Sequence, residues 1–240
     1  DEERKLKELL DRLRENIRAL RELIKDNLRL LKTLVDALEE LLKDNLRLLR
    51  ELAEEAARRL SEDALRDLKR VLDELKKVHD RVRRELERVL KELDEVHKEV
   101  KERLDRSLEE LEDVIRKVKD ERALLEALKK HVDVVRTVLK LLLDANKRAL
   151  DVVRALLELI LTVNKKAVDV LREILKRVVK NEKDVRELIK RVETALRESE
   201  EKLRRVAEEL KKALDRSRKD LEEVVRRTED LLRRLEEKLR

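Results

Sequence analysis

The chain has 240 residues and contains no Gly, Pro, Cys, Met, Phe, Tyr, Trp or Gln. Ordinary usage of about 7% Gly and 5% Pro argues against a natural origin, and zero cysteine excludes disulfides, thiolate metal ligands and thiol nucleophiles. Charged residues make up 52%, with 65 Lys and Arg thoroughly mixed among 59 Asp and Glu for a net charge of +6, which argues against the gathered basic face and aromatic platforms of a nucleic-acid binder.

The first predicted element is a helix over about residues 2–59, whose apolar stripe repeats with helical period. It contains KDNLRLLK at 25–32 and KDNLRLLR at 43–50, so that Asn27 and Asn45 interrupt the stripe 18 residues apart. Its apolar arc spans roughly 180°, widened by the rows Leu10, Leu28, Leu46 and Ile17, Val35, Ala53. With no glycine or proline to mark turns, capping chemistry must do so. Arg58 and Arg59 suit a helix C-terminus, and Ser61 followed by Glu62 and Asp63 suits an N-cap. The stripe also jumps by roughly 120° there.

A second helix is predicted over about 62–119, with a narrower arc of roughly 120 to 140° and with His79 and His97 toward one side of it. Asp120 and Glu121 then repeat the capping pattern, with a phase jump of roughly 150°. The third helix, about 121–179, has the widest arc, roughly 200°. Its excess is a row of Val134, Val152 and Val170 beside a row of Leu141 and Leu159, and it carries Asn146 and Asn164. Asn181, Glu182 and Asp184 mark a last turn on capping alone, since the phase jump is only about 40°. The fourth helix, about 182–239, carries Ser199 and Ser217 within its apolar arc.

Eighteen residues are five turns of an undistorted helix, whereas a seven-residue repeat imposes a left-handed supercoil. Each helix has a polar pair at this interval: Asn27 and Asn45, His79 and His97, Asn146 and Asn164, Ser199 and Ser217. Folded up and down, Asn27, His97, Asn146 and Ser217 fall at one height, about 23 to 27 residues from the same end. Asn45, His79, Asn164 and Ser199 fall at a second, about 41 to 45 residues from it. A single uninterrupted helical rod would have no reason to align eight polar positions in this way. The expected fold is therefore all-α: a long, straight, untwisted up-down-up-down four-helix bundle, two helical hairpins in one chain, forming a single elongated domain over 1–240. A looser third set holds Asn16, Ser107, His131 and Thr228.

Buried amides, imidazoles and hydroxyls must hydrogen-bond one another or cost about 1 to 3 kcal/mol each. Their gain is specificity, because a slipped or reversed packing leaves them unpaired. The paired Asn/His/Asn/Ser layers, the Leu/Val/Ala core and the Glu/Lys/Arg surface together resemble the de novo designed helical bundles built from parametric backbones with buried hydrogen-bond networks. The resemblance covers the whole chain, although many such designs use Gly or Pro in their turns. It implies a structural scaffold or self-assembling bundle with no natural biochemical activity.

The histidines raise metal and catalytic alternatives. Bundle di-metal sites use Glu-x-x-His motifs with further inward glutamates, but Lys76, Asp94 and Leu128 stand three residues before His79, His97 and His131. Ser199 and Ser217 beside His79 and His97 lack a visible orienting carboxylate, oxyanion hole or cleft. No catalytic residue, cofactor, metal or small-molecule substrate is expected, and the chain is not expected to be an enzyme. Protonation of His79 and His97 would place charges in apolar layers, so stability should fall below a pH of about 6.5.

The broad arcs of the first and third helices suggest an interface through Val134, Leu141, Val152, Leu159 and Val170. A homo-oligomer, with a dimer as the simplest closed form, is weighed against a monomer whose interior uses these rows itself. A binding module that docks a partner helix on the same row is the alternative function. Charges interrupt even the most apolar stretch, VRTVLKLLLDANKRALDVVRALLELILTV, so no membrane span is expected, and the opening DEERKLKELL does not resemble a signal peptide. Nothing in the sequence addresses a compartment beyond that of a soluble chain.

Overall fold

The computed structural model describes residues 2–58, 61–117, 120–178 and 182–239. They form four α-helices: α1 (Glu2–Ala57), α2 (Glu62–Lys117), α3 (Glu121–Val178) and α4 (Glu182–Leu239). The protein is an all-α four-helix bundle with its helices packed against one another, and no strand occurs among the described residues. The expected helix ends at Arg59, Lys119 and Val179, and the expected cap at Asn181, lie outside the described residues.

Two of the helix starts, those of α2 and α3, rest on side-chain caps. Ala64 N–H donates to Ser61 Oγ at 3.4 Å, while Leu65 N–H closes the first turn on Ser61 O at 2.9 Å. Arg122 N–H donates to Asp120 Oδ1 at 3.1 Å, and Leu124 N–H to Asp120 O at 3.1 Å. Each cap satisfies one of the four amide hydrogens that a helix N-terminus otherwise leaves unpaired. Glu62, Asp63 and Glu121 add negative charge at N-termini, and Arg116, Lys117, Lys176 and Arg177 add positive charge at C-termini, both favourable to the helix dipole. No described residue has a positive φ.

The chain packs as two compact units, each drawing a segment from all four helices: unit 1 is 1–31, 91–149 and 211–240, and unit 2 is 32–90 and 150–210. In unit 1, Ile17, Leu20 and Ile24 of α1 cluster with Val100 and Leu104 of α2, Val135, Val138 and Leu142 of α3, and Leu221 and Val224 of α4. Toward the α1 start, Leu13, Leu111, Leu124, Leu128 and Leu231 form a second cluster of the same unit. Unit 2 is built on Leu49, Leu68, Leu75, Leu171, Ile174 and Leu196 with the small residues Ala53, Ala64 and Ala167.

Helix directions follow from the cross-links. In unit 1, Arg14 pairs with Glu112 and Arg21 with Asp105, so partners descend along α2 as they ascend along α1. Lys129 pairs with Glu236 and Arg136 with Glu229, so α3 and α4 are likewise antiparallel. In unit 2, Asn45 bonds Ser199 and Glu55 bonds Arg191, which makes α1 and α4 antiparallel as well. These ion pairs are largely solvent-exposed and each contributes little, about 0 to 1 kcal/mol; the buried Leu, Ile and Val clusters supply most of the stability.

Candidate functional site: the buried polar layers

The unit 2 layer is centred on the Asn45 carboxamide, which is 1% exposed. Its Nδ2 donates to Asn164 Oδ1 at 3.1 Å and to His79 Nε2 at 2.9 Å; its Oδ1 accepts from Asn164 Nδ2 at 3.3 Å and from Ser199 Oγ at 3.0 Å. Both donors and both acceptor positions of Asn45 are therefore used. Because an amide nitrogen only donates, His79 Nε2 must be an acceptor and its proton must lie on Nδ1. That nitrogen faces Leu75 O, one turn back on its own helix, at 2.8 Å. The layer thus holds His79 neutral in one tautomer. Burial lowers the His79 pKa from its ordinary value, with the Leu75 carbonyl and Asp80 acting in the opposite direction.

Unit 1 repeats this arrangement with one change. Asn27 and Asn146 exchange reciprocal Nδ2–H···Oδ1 bonds, both 3.3 Å, and Asn27 Nδ2 also donates to His97 Nε2 at 3.1 Å. His97 Nδ1–H donates to Leu93 O at 2.7 Å. Ser217, expected as the fourth member, is only half-buried, and its Oγ is enclosed without a hydrogen-bond partner. One acceptor position of Asn27 therefore lacks the serine donor that Asn45 receives, so the two layers are not chemically equal.

The looser third set is also partly realised in unit 1. Ser107 Oγ lies 2.8 Å from His131 Nδ1, both residues being buried. Thr228 is buried too, but it donates to Val224 O of its own helix at 3.1 Å, and Asn16 is only half-buried. His131 Nε2 has no partner, and burial lowers this imidazole's pKa to about 4. The distance between Ser107 and His131 is one an activated serine would have. The nitrogen that an orienting carboxylate would hold is unpartnered, however, and His131 is only 1% exposed.

The chain matches no family model, curated protein or solved structure with which it was compared. Its chemistry must therefore be read from the residues themselves. Among the described residues, no group of three or more His, Asp or Glu side chains is arranged to hold a metal ion, and no helix is long and apolar enough to cross a membrane.

The broad apolar arcs have an internal explanation. Through Asn45, α1 meets α2, α3 and α4 within unit 2. Within unit 1, α3 meets α1 at Asn27, α2 at Ser107 and α4 at Glu229. A helix with three neighbours buries a wider arc than a helix with two. Accordingly Ile17, Val35 and Ala53 are fully buried, and Leu28 and Leu46 are half-buried; the side chain of Leu10 lies outside those described. On α3, Val134, Leu141, Val152 and Leu159 are half-buried, with Val134 and Leu141 packed on the unit 1 core. Only Val170, at 36%, and Leu30 on α1, at 39%, are large apolar side chains classed as exposed among the described residues.

Proposed function

We propose that the protein is a designed structural scaffold, a self-assembling helical bundle with no natural biochemical activity, whose packing is specified by its buried polar layers. The observation that carries this reading is the pair of reciprocal carboxamide contacts, Asn27 with Asn146 and Asn45 with Asn164, each capped by a histidine acceptor from α2. Such contacts add little net stability over an apolar core, but they penalise every register that leaves them unpaired. The composition supports a designed origin, since eight residue types, including Gly and Pro, are absent from 240 positions.

The test is a quadruple Asn→Leu variant at 27, 45, 146 and 164, examined by light scattering and guanidine unfolding. A scaffold specified by its layers retains its helicity but separates into several species or loses cooperativity. A single species with the parent's mass and unfolding slope would refute that role.

A second reading has Val170 in its favour. The chain would then act as a building block that docks a partner helix, or another copy of itself, along Val134, Leu141, Val152, Leu159 and Val170. A dimer is the simplest closed form. A solution mass of 28.8 kDa, that of one chain, would count against assembly through this row.

A further inference from the structure

We propose that His131, which lies outside both Asn/His layers, is the histidine through which acid destabilises this bundle most. The inference does not depend on whether the chain was designed or assembles with itself. It rests on how each imidazole could accommodate a second proton.

At His97 and His79, protonation places a hydrogen on Nε2, facing the Nδ2 of Asn27 or Asn45. Turning both carboxamides of a pair by about 180° about χ2 exchanges their N and O positions. Oδ1 of Asn27 then faces the imidazolium and also accepts from Asn146 Nδ2, while Asn27 Nδ2 donates to Asn146 Oδ1. The number of hydrogen bonds is unchanged. In unit 2 the rewired Asn45 donates to Ser199 Oγ rather than accepting from it. Both imidazolium hydrogens find acceptors, Nδ1–H on the backbone carbonyl one turn back and Nε2–H on the turned amide.

His131 has no such route. Its Nδ1 is paired with the Ser107 hydroxyl, which can donate or accept, but Nε2 has no partner in either protonation state. Thr228, the nearby layer residue of α4, is bonded to its own helix. The charged residues at this height pair with one another or are exposed. On α1, Arg14 bridges Asp11 at 3.7 Å and Glu112 of α2 at 2.9 Å. On α2, Asp105 pairs with Arg21, and Arg106 is exposed. On α3 itself Asp133 pairs with Arg136 at 3.7 Å while Lys130 is exposed, and on α4 Asp230 lies 3.9 Å from Arg233. No carboxylate compensates the ring, and its lowered pKa, about 4 from an ordinary 6.5, has burial as its sole cause.

Linkage gives the sign: the unfolded chain takes up the proton first, so stability is full above about pH 6.5 and falls as pH drops toward 4. At pH 4 this one group weakens the folding equilibrium by about 150-fold relative to pH 7.5.

The experiment is an NMR titration of the full chain. With three histidines and no other aromatic ring, the only carbon-bound aromatic protons are those of imidazole, which a carbon-edited spectrum in D2O isolates from amide and guanidinium protons. Resonances are assigned from His79→Asn and His97→Asn spectra, so that no His131 variant is needed. His131 should stay neutral until the pH nears 4; titration at pH 6 or above overturns the proposal. Guanidine unfolding at pH 7.5 and pH 4 gives the second reading. The variant Ser107→Ala with His131→Leu, which removes both partners together, should lack about 150-fold of the parent's acid loss. A folded variant with the parent's full pH dependence overturns the proposal, and if the variant does not fold the titration alone decides.

Discussion

Ser199 and Ser217 occupy equivalent places in the 18-residue repeat, yet Ser199→Ala and Ser217→Ala should differ in their effect on stability. Ser199 Oγ donates to Asn45 Oδ1 at 3.0 Å, whereas Ser217 Oγ is enclosed and unpartnered. Replacing Ser199 removes one hydrogen bond and leaves a lone pair of a 1%-exposed carboxamide unsatisfied, a cost of about 1 to 2 kcal/mol. Replacing Ser217 deletes a hydroxyl already without a partner, which is neutral or stabilising by up to about 1 kcal/mol. Alanine's better helix propensity, worth roughly 0.5 kcal/mol, applies to both and cancels in the difference. Ser217→Ala should therefore be the more stable variant by about 1 to 3 kcal/mol. Guanidine unfolding followed by circular dichroism at pH 7.5, with equal slopes for the two variants, measures this directly. Equal midpoints would refute the inequality of the two layers.

Other outcomes follow from individual contacts. Leu142→Ala, at a site with no exposure, should cost about 2 to 5 kcal/mol by chemical denaturation, while Val170→Thr should stay within about 0.5 kcal/mol unless copies of the chain associate there. Ser61→Ala and Asp120→Ala should each cost about 0.5 to 2 kcal/mol, with Ser61 at the low end because its cap bond is long at 3.4 Å. The lowered pKa of His79 makes the unfolded chain the better proton acceptor, so its contribution is full above an ordinary value of 6.5 and declines as pH falls below it. His79→Asn should flatten that part of a stability-against-pH curve, measured as the guanidine midpoint at half-unit pH steps.

The four-helix class was legible because period and capping chemistry are local: Ser61 and Asp120 signal a helix start wherever the chain goes. The grouping of Asn27 with His97 and Asn146, and of Asn45 with His79, Asn164 and Ser199, was legible because an up-and-down chain converts residue number into height. The bonding state of Ser217 was not. Serine stands at both positions of the repeat, and whether its hydroxyl reaches Asn27 depends on rotamer and helix separation, which identical residue types do not encode. The width of the α1 and α3 arcs was visible, but a broad arc serves equally for a third neighbour inside one bundle and for a partner outside it. The count of neighbouring helices within one chain is a tertiary quantity that the stripe does not encode. The Ser107 and His131 pair gave a weak sequence signal, since the third set lacks the 18-residue partner that marks the other two.

That missing partner gives the third pair a role of its own. A repeat of 18 residues makes the correct register and one slipped by a full repeat resemble each other, because Asn45 can still meet Asn146 after such a slip. The slip strands Asn27 and Asn164 without partners, at a cost of about 1 to 3 kcal/mol each. The Ser107 and His131 pair adds to this penalty, since the positions one repeat away from them are Val89 and Ala149, both buried and apolar. A one-repeat slip between the antiparallel α2 and α3 would set Ser107 against Ala149 in one direction, or His131 against Val89 in the other, and either leaves the polar group unpaired. Two copies of a layer fix the phase of the packing, and an unrepeated pair fixes which copy is which.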